Sequence, residues 1–328
     1  MRVAVVTGGS AGIGRATVRE FANQGFDVAV LARSRDGLDG AVKEIEAAGR
    51  RGLAIAVDVS DYDAVERAAD QVERELGPID VWVNNAMVGV LAPVSEMTPA
   101  EFRRLTEVNY LGQVWGTMAA VARMRPRDRG VVVNVGSALA FRGIPLQSAY
   151  CASKHAIKGF SESLIAELRH EKSKVHVCMV QLPGVNSTQF DWVINKMPKH
   201  PMPVPPIYQP EIPARAIVWL AQHPRRNMWV GIATAGTILA NRAAPKVLDI
   251  YLGLTGYKSQ QTDEFDKSHQ NNVFEPLPGD RGAHGAFDAK AHDRSPMLWL
   301  STNRRYVVGG MLTAAAFAGS VVVRRARV

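Results

Sequence analysis

The first two dozen residues constrain this chain more than any other stretch. Residues 2–6 form a short β-branched run that ends in Thr7-Gly8-Gly9-Ser10-Ala11-Gly12-Ile13-Gly14, and a helical periodicity follows over about 15–24. Strand, glycine turn, helix is the arrangement of a dinucleotide-binding loop. The glycines permit a tight turn and close backbone approach, and the helix N-terminus faces a diphosphate. The spacing is Gly-x-x-x-Gly-x-Gly and not the commoner Gly-x-Gly-x-x-Gly, so the context carries the reading.

The same alternation continues along the chain. A second strand is expected over 27–32, a helix over 36–48, a third strand over 53–57, and a helix over 61–76. The fourth strand, 79–83, runs into Asn84-Asn85-Ala86-Met87. Thr98-Pro99-Ala100-Glu101 has the form of a capping box with Pro at the first helical position. Strands follow at 130–136, ending in Ser137, and at 175–180, with a short seventh at 227–231. Strands alternating with helices of ten or more residues predict an α/β fold of Rossmann type: a doubly wound, mainly seven-stranded parallel sheet with a C-terminal helical and irregular extension.

Several side chains carry chemistry. Tyr150 precedes Lys154 by one helical turn, so both lie on one helix face. An ammonium there favours the phenolate and lowers the Tyr pKa toward neutrality, suiting it to proton transfer at a carbonyl or alcohol oxygen. Taken alone, the pair is equally an ordinary exposed pair on a helix. The second strand ends in Arg33-Ser34-Arg35 where a cofactor with a free ribose 2′-OH would meet an acid. A guanidinium suits a 2′-phosphate, which favours NADP over NAD. Asp58, at the end of the third strand, suits the adenine edge or a helix cap. Asn109 lies in a helical stretch, where it is either solvated or turned inward, breaking the helix locally and holding water.

With these motifs on the page, the chain resembles the short-chain dehydrogenase/reductase (SDR) family over residues 1–232. The resemblance rests on Thr7-Gly8-x-x-x-Gly12-Ile13-Gly14, Asp58, Asn84-Asn85-Ala86, Asn109, Ser137 thirteen residues before Tyr150, Tyr150-x-x-x-Lys154, and Pro183-Gly184 with Thr188. Met87 departs from the family's usual Gly, and the glycine loop lacks the basic residue that many NADP-using members carry. Use of both NADP and NAD therefore stays open. The resemblance implies an NAD(P)-dependent oxidoreductase acting between a carbonyl and a secondary alcohol. It implies Tyr150 as general acid or base, Lys154 as the group that lowers its pKa and holds the nicotinamide ribose, Ser137 on the substrate oxygen, and Asn109 positioning a proton-relay water. It also implies cofactor contacts from Gly8, Ser10, Gly12, Ile13, Gly14, Arg33, Asp58, Val59, Asn84, Asn85, Ala86, Tyr150, Lys154, Pro183, Gly184, Val185 and Thr188. A homo-oligomer is implied too, with the Asn109 and Tyr150 helices at its interface.

Composition narrows the alternatives. The chain has 328 residues, a net charge of +8 and two cysteines, Cys151 and Cys178. Scattered basic residues argue against a nucleic-acid groove, and neither a metal-ligand spacing nor a disulfide framework is present in the sequence. Met1 leads almost directly into a strand, so no signal peptide is expected. Residues 190–210 are rich in Pro and Met and are expected as a substrate-covering flap or a rigid connection. Residues 233–256 are expected as a helical extension, and 257–303, polar and rich in Gly and Pro, as an irregular linker. Residues 306–323 carry no charge and are flanked by arginines, so 304–328 are expected as a C-terminal membrane-anchoring helix beneath a cytoplasmic catalytic domain. The apolar flap and the tail suggest a lipophilic small-molecule substrate. An NADP-binding sensor or scaffold without turnover is the alternative class, against which the complete Ser137, Tyr150, Lys154 set counts. An epimerase or dehydratase on the same fold would need a nucleotide-sugar site that 190–210 does not offer.

Overall fold

A computed structural model describes residues 2–267, 270–304 and 306. Short β-branched runs become seven parallel strands because helices bury both faces of the sheet. The strands are β1 (Arg2–Thr7), β2 (Phe26–Ala32), β3 (Gly52–Ala56), β4 (Ile79–Asn84), β5 (Gly130–Ser137), β6 (Val175–Leu182) and β7 (Asn227–Trp229). In space they run β7-β6-β5-β4-β1-β2-β3. The order reverses between β1 and β4, and in such sheets a crevice opens there at the carboxyl ends.

On one face pack α1 (Gly12–Asn23), α2 (Arg35–Ala47) and α7 (Glu211–Gln222), through Val18, Phe21, Leu38, Ile45 and Ile217. On the other pack α3 (Tyr62–Glu75), α4 (Pro99–Thr106), α5 (Gly112–Met124) and α6 (Ser148–His170), through Val65, Val72, Leu105, Met124 and Leu168. The expected capping box is present: the Glu101 N–H donates to Thr98 Oγ1 (3.2 Å) and the Thr98 N–H to Glu101 Oε2 (2.7 Å). Between α4 and α5 the chain widens into a π-turn, Glu107–Leu111, which turns Asn109 fully inward.

Beyond β6 the chain builds over the carboxyl ends of the strands. Gly184–Val185 pairs with Ile207–Tyr208, and Val90–Leu91 with Ile194–Asn195. The helices α8 (Ile232–Ala243) and α9 (Pro245–Thr255) follow. The stretch expected as a linker then returns across the molecule. Gln261–Phe265 pairs antiparallel with Lys199–Pro201, and Ala291–His292 pairs parallel with Ile207–Tyr208. It ends in α10 (Pro296–Thr302), whose Leu298 joins the core beside α7.

The expectation of a membrane-spanning tail requires correction. Among the described residues no helix is long and apolar enough to cross a membrane. Residues 305 and 307–328, on which most of the expected anchor falls, lie outside the described residues. The uncharged run 306–323 is also short and rich in Ala and Gly, which contribute little to insertion. Membrane association and a transmembrane helix are therefore withdrawn.

Candidate active site and cofactor cleft

The cleft at the β1/β4 switch point is held together by Thr7. Its Oγ1 accepts the backbone N–H of Asn85 (3.0 Å) and Ala86 (3.1 Å) and donates to the Val83 carbonyl (3.3 Å). Asn85 Nδ2 returns to the carbonyls of Thr7 (3.1 Å) and Gly8 (3.2 Å). The turn leaves no choice of residue at two places. Gly8 has φ +65°, and a Cβ there would sit 2.7 Å from Ala86 Cα. A Cβ on Gly14 would meet the Gly8 carbonyl oxygen at 2.1 Å.

Of the residues expected to touch a cofactor, Gly8, Ser10, Gly12, Ile13, Arg33, Asp58, Val59, Asn85, Ala86 and Thr188 line this cleft. Pro183, Gly184, Val185, Tyr150 and Lys154 line the adjoining cavity, which shares Ile13, Asn85, Met87, Ser187 and Gln189 with the cleft. Gly14 and Asn84 line neither. Gly14 packs beneath the turn, and Asn84 is fully buried. Asn84 Oδ1 accepts from Trp82 Nε1 (2.8 Å), and its Nδ2 donates to Thr117 Oγ1 (2.9 Å) and Asn134 Oδ1 (2.8 Å). Asn84 thus fastens β4 to β5 and α5. The cradle fits a dinucleotide diphosphate: a Cβ on Gly12, at φ +57°, would come within 3.3 Å of Ser187 Cβ across the cleft, and glycine keeps that passage open.

At the outer end of the cleft Arg33 lies 3.9 Å from Asp58. Its guanidinium also donates to the carbonyls of Asn272 and, at 2.8 Å, Phe274. Burial works to raise the Asp58 pKa, but bonds from Arg104 and Ser60 outweigh it and hold the carboxyl below its ordinary value.

Ser137 at the end of β5 and Tyr150 and Lys154 on α6 meet on the floor of the second cavity. Burial pushes the Tyr150 phenol up to about 12, with the Ser137 hydroxyl opposing the shift. Tyr150 is only half-buried and lines the cavity, which tempers that desolvation. Lys154 is buried, and burial lowers it to about 8. Its Nζ donates to the Val135 carbonyl (2.7 Å) and stands 5.4 Å from the centre of the Tyr150 ring. The expected lowering of the phenol by the lysine is therefore not what this geometry gives. The ammonium is held by a carbonyl, and both groups are drawn toward their neutral forms.

Asn109 lines neither cavity. Its Oδ1 accepts the Val88 N–H (2.8 Å) and its Nδ2 donates to the Val88 carbonyl (2.9 Å), so it clamps the loop after β4. Two residues escaped sequence reasoning. Thr7 was visible only as part of the loop. Gln113, buried, donates from Nε2 to the same Val135 carbonyl that Lys154 uses (3.4 Å), and its Oε1 has no partner among the described residues. Its position one turn after Asn109 was the signal that could have found it.

Above this floor the cavity walls are mainly apolar. Leu139 and Ile144 form one side, Phe190, Val193 and Met202 of the flap region another, and Leu248, Tyr251 and Leu252 of α9 the rim.

A family model described as short chain dehydrogenase matches residues 2–199. The uncharacterized oxidoreductase YxnA of Bacillus subtilis (strain 168) is 29% identical across 98% of this chain and 91% of that protein. The 3-ketodihydrosphingosine reductase of Bos taurus is 37% identical across 57% of this chain and 57% of its own length. Among solved structures, the alcohol dehydrogenase from the archaeon Thermococcus sibiricus, complexed with 5-hydroxy-NADP, is similar with a TM-score of 0.62 and 27% identity. That match covers 70% of this chain and 96% of the other.

Proposed function

The chain belongs to the short-chain dehydrogenase family of oxidoreductases, and from that membership we propose that it interconverts a carbonyl and a secondary alcohol on a lipophilic small molecule, with NADP as its cofactor. The observation that carries this reading is the convergence of Ser137, Tyr150 and Lys154 on the floor of an apolar cavity that opens into the glycine-turn cleft.

The cofactor, when bound, supplies or accepts the hydride. The chain's own residues do the rest. Gly8, Ser10, Gly12, Ile13 and Thr188 would hold its diphosphate, and Asn85, Ala86 and Val185 its inner half. Ser137 donates to the substrate oxygen and stabilises the charge that develops there. Tyr150 gives that oxygen its proton in reduction and takes it back in oxidation. A phenol held near 12 is protonated at neutral pH and so is ready to act as the acid. Lys154 is the positive charge behind the phenol and would hold the nicotinamide ribose. Gln113, which shares the Val135 carbonyl with Lys154 and has a free Oε1 among the described residues, would help to hold a relay water linking the lysine to solvent.

NADP is preferred because Arg33, and not an acid, follows β2, and the Thermococcus sibiricus neighbour is complexed with 5-hydroxy-NADP. Lipophilicity is supported by the apolar walls and by the 3-ketodihydrosphingosine reductase among the relatives. Nothing observed supports a binding protein without turnover. The test is NADPH and NADH oxidation against a panel of ketones graded by chain length. Turnover that rises with apolar length and prefers NADPH is expected. No oxidation of either cofactor across the panel would remove the proposal.

A further inference from the structure

The cofactor cleft has a wall that the family core does not supply. The family model matches up to residue 199, yet Asn272, Pro276, Leu277, Gly279 and Arg281 line the cleft together with the glycine turn. Several contacts tie this strap, residues 270–285, to the dinucleotide-binding half. The Gly12 N–H donates to the Gly282 carbonyl (2.9 Å). The Gly279 N–H donates to Asp36 Oδ2 (2.6 Å). Arg104 Nε donates to the Val273 carbonyl (3.0 Å), and Val273 is fully buried in the core. Ala283 is buried against Ala16 and Ala214. The main pin is Arg15, 2% exposed, which gives Asp280 two bonds, 3.0 and 3.1 Å, while also holding Glu44.

These contacts fix the backbone on both sides of Arg281. Its neighbour Gly282 is bonded to Gly12 at the start of α1, so Arg281 sits beside the diphosphate cradle and shares its lining with Ser10, Gly12 and Thr188. The glycine turn offers no cation of its own, because Arg15 is consumed by Glu44 and Asp280. The Arg281 guanidinium donates to Gln270 Oε1 at 3.4 Å, long for a charged donor, and its charge also acts on the Asp191 carboxylate. In the same lining a buried acceptor, Asn272 Oδ1, has no partner among the described residues.

We propose that the strap 270–285 is a clamp on the cofactor and that Arg281 is its anion-binding residue, pairing with the diphosphate from the side opposite the glycine turn. The inference rests on the dinucleotide reading of the cleft. It assigns Arg281 to the part of the cofactor common to NADP and NAD, whereas Arg33 belongs to the 2′-phosphate that only NADP carries.

The two assignments are separated by titrating full-length protein with NADPH and with NADH, following nicotinamide fluorescence, and by timing cofactor release in a displacement experiment. Arg281→Ala is expected to weaken both cofactors by about tenfold and to speed the release of both, as loss of one charge-assisted contact does. Arg281→Lys should recover part of the affinity. The melting temperature of the free protein should be unchanged, since the side chain is exposed. Affinities for both cofactors within twofold of wild type in Arg281→Ala would overturn the clamp. Arg33→Ala should weaken NADPH more than NADH, with a smaller loss shared by both because Arg33 also holds the strap carbonyls of Asn272 and Phe274. If it weakens neither cofactor, or both equally, the NADP preference falls while the clamp stands. Failure of the wild-type protein to bind either cofactor would overturn both readings together.

Discussion

The glycine turn after β1 and the strap 270–285 face each other across one cleft, yet different forces build them. The turn is local: a strand, four glycines and a helix within two dozen residues, with steric contacts that exclude any Cβ at Gly8 and Gly14. The strap reaches the same cleft from more than 230 positions away, carried by a few directed polar contacts and two buried apolar residues, Val273 and Ala283. A wall made by sterics tolerates almost no substitution. A wall made by partly exposed ion pairs and single hydrogen bonds tolerates many, and it can move without unfolding the sheet. The difference suits a site whose chemistry must be fixed while its cofactor comes and goes.

Substitutions on the two sides would break or sharpen that contrast. The largest effect is expected on the fixed side. Tyr150→Phe keeps the ring and removes the proton, so turnover should fall by about a hundredfold to ten-thousandfold while cofactor affinity holds. Turnover near wild type would dissolve the assigned role. Next is Gly14→Ala, which drives a Cβ to 2.1 Å from the Gly8 carbonyl. Backbone must shift, so a loss of about 3 kcal/mol or more in denaturant unfolding is expected, with loss of cofactor binding. An unperturbed variant would show that the turn is softer than its contacts imply.

The third concerns pH. Burial lowers Lys154 from 10.5 to about 8. Below about 8 the lysine is charged in both states and its burial cost is fully felt. Between about 8 and 10.5 the unfolded chain binds the extra proton, so this lysine makes wild-type stability rise with pH. Lys154→Met lacks that rise. The stability difference should therefore move in the wild type's favour across this window, by on the order of 3 kcal/mol. A difference flat in pH would mean the lysine is not desolvated as placed. The smallest effect belongs to the movable wall. Asp280→Ala removes a partly exposed partner from Arg15, which keeps Glu44, and should cost only about 1 kcal/mol. Strap cleavage in limited proteolysis should nonetheless quicken. A loss as large as that of Gly14→Ala would erase the distinction between the two walls.

Much of the first wall could be read from the residues. The β-branched runs, the Thr98 capping box and the glycine turn each appear where their local patterns place them, because strand period, cap chemistry and positive φ act over a few residues. Tyr150, Lys154 and Ser137 were found for the same reason, lying at the ends of well-patterned elements. What they do to one another was not legible. Spacing put Lys154 beside Tyr150 and suggested a lowered phenol, but the depth of burial and the Val135 carbonyl decide the protonation of both. Asn84 and Asn109 matched motifs at the right positions, but only packing showed that Asn84 spends its amide inside the sheet and Asn109 on Val88.

At the C-terminal end the pattern misled in a different way. An uncharged run between arginines suggested a membrane helix, but length and charge are weak guides when half the residues are small. Polar residues rich in Gly and Pro suggested a loop or linker that could lie over the core, and 257–303 carries short strands and the strap laid across the cleft. The sequence by itself determined the parallel sheet and put forward Ser137, Tyr150 and Lys154 as candidates, because strand period and element ends follow from short-range periodicity and backbone sterics. Only the tertiary structure decided that Arg15 is a pin and Arg281 a wall of the cleft. Those roles depend on residues some 265 positions apart meeting in space, and no local preference encodes such a meeting.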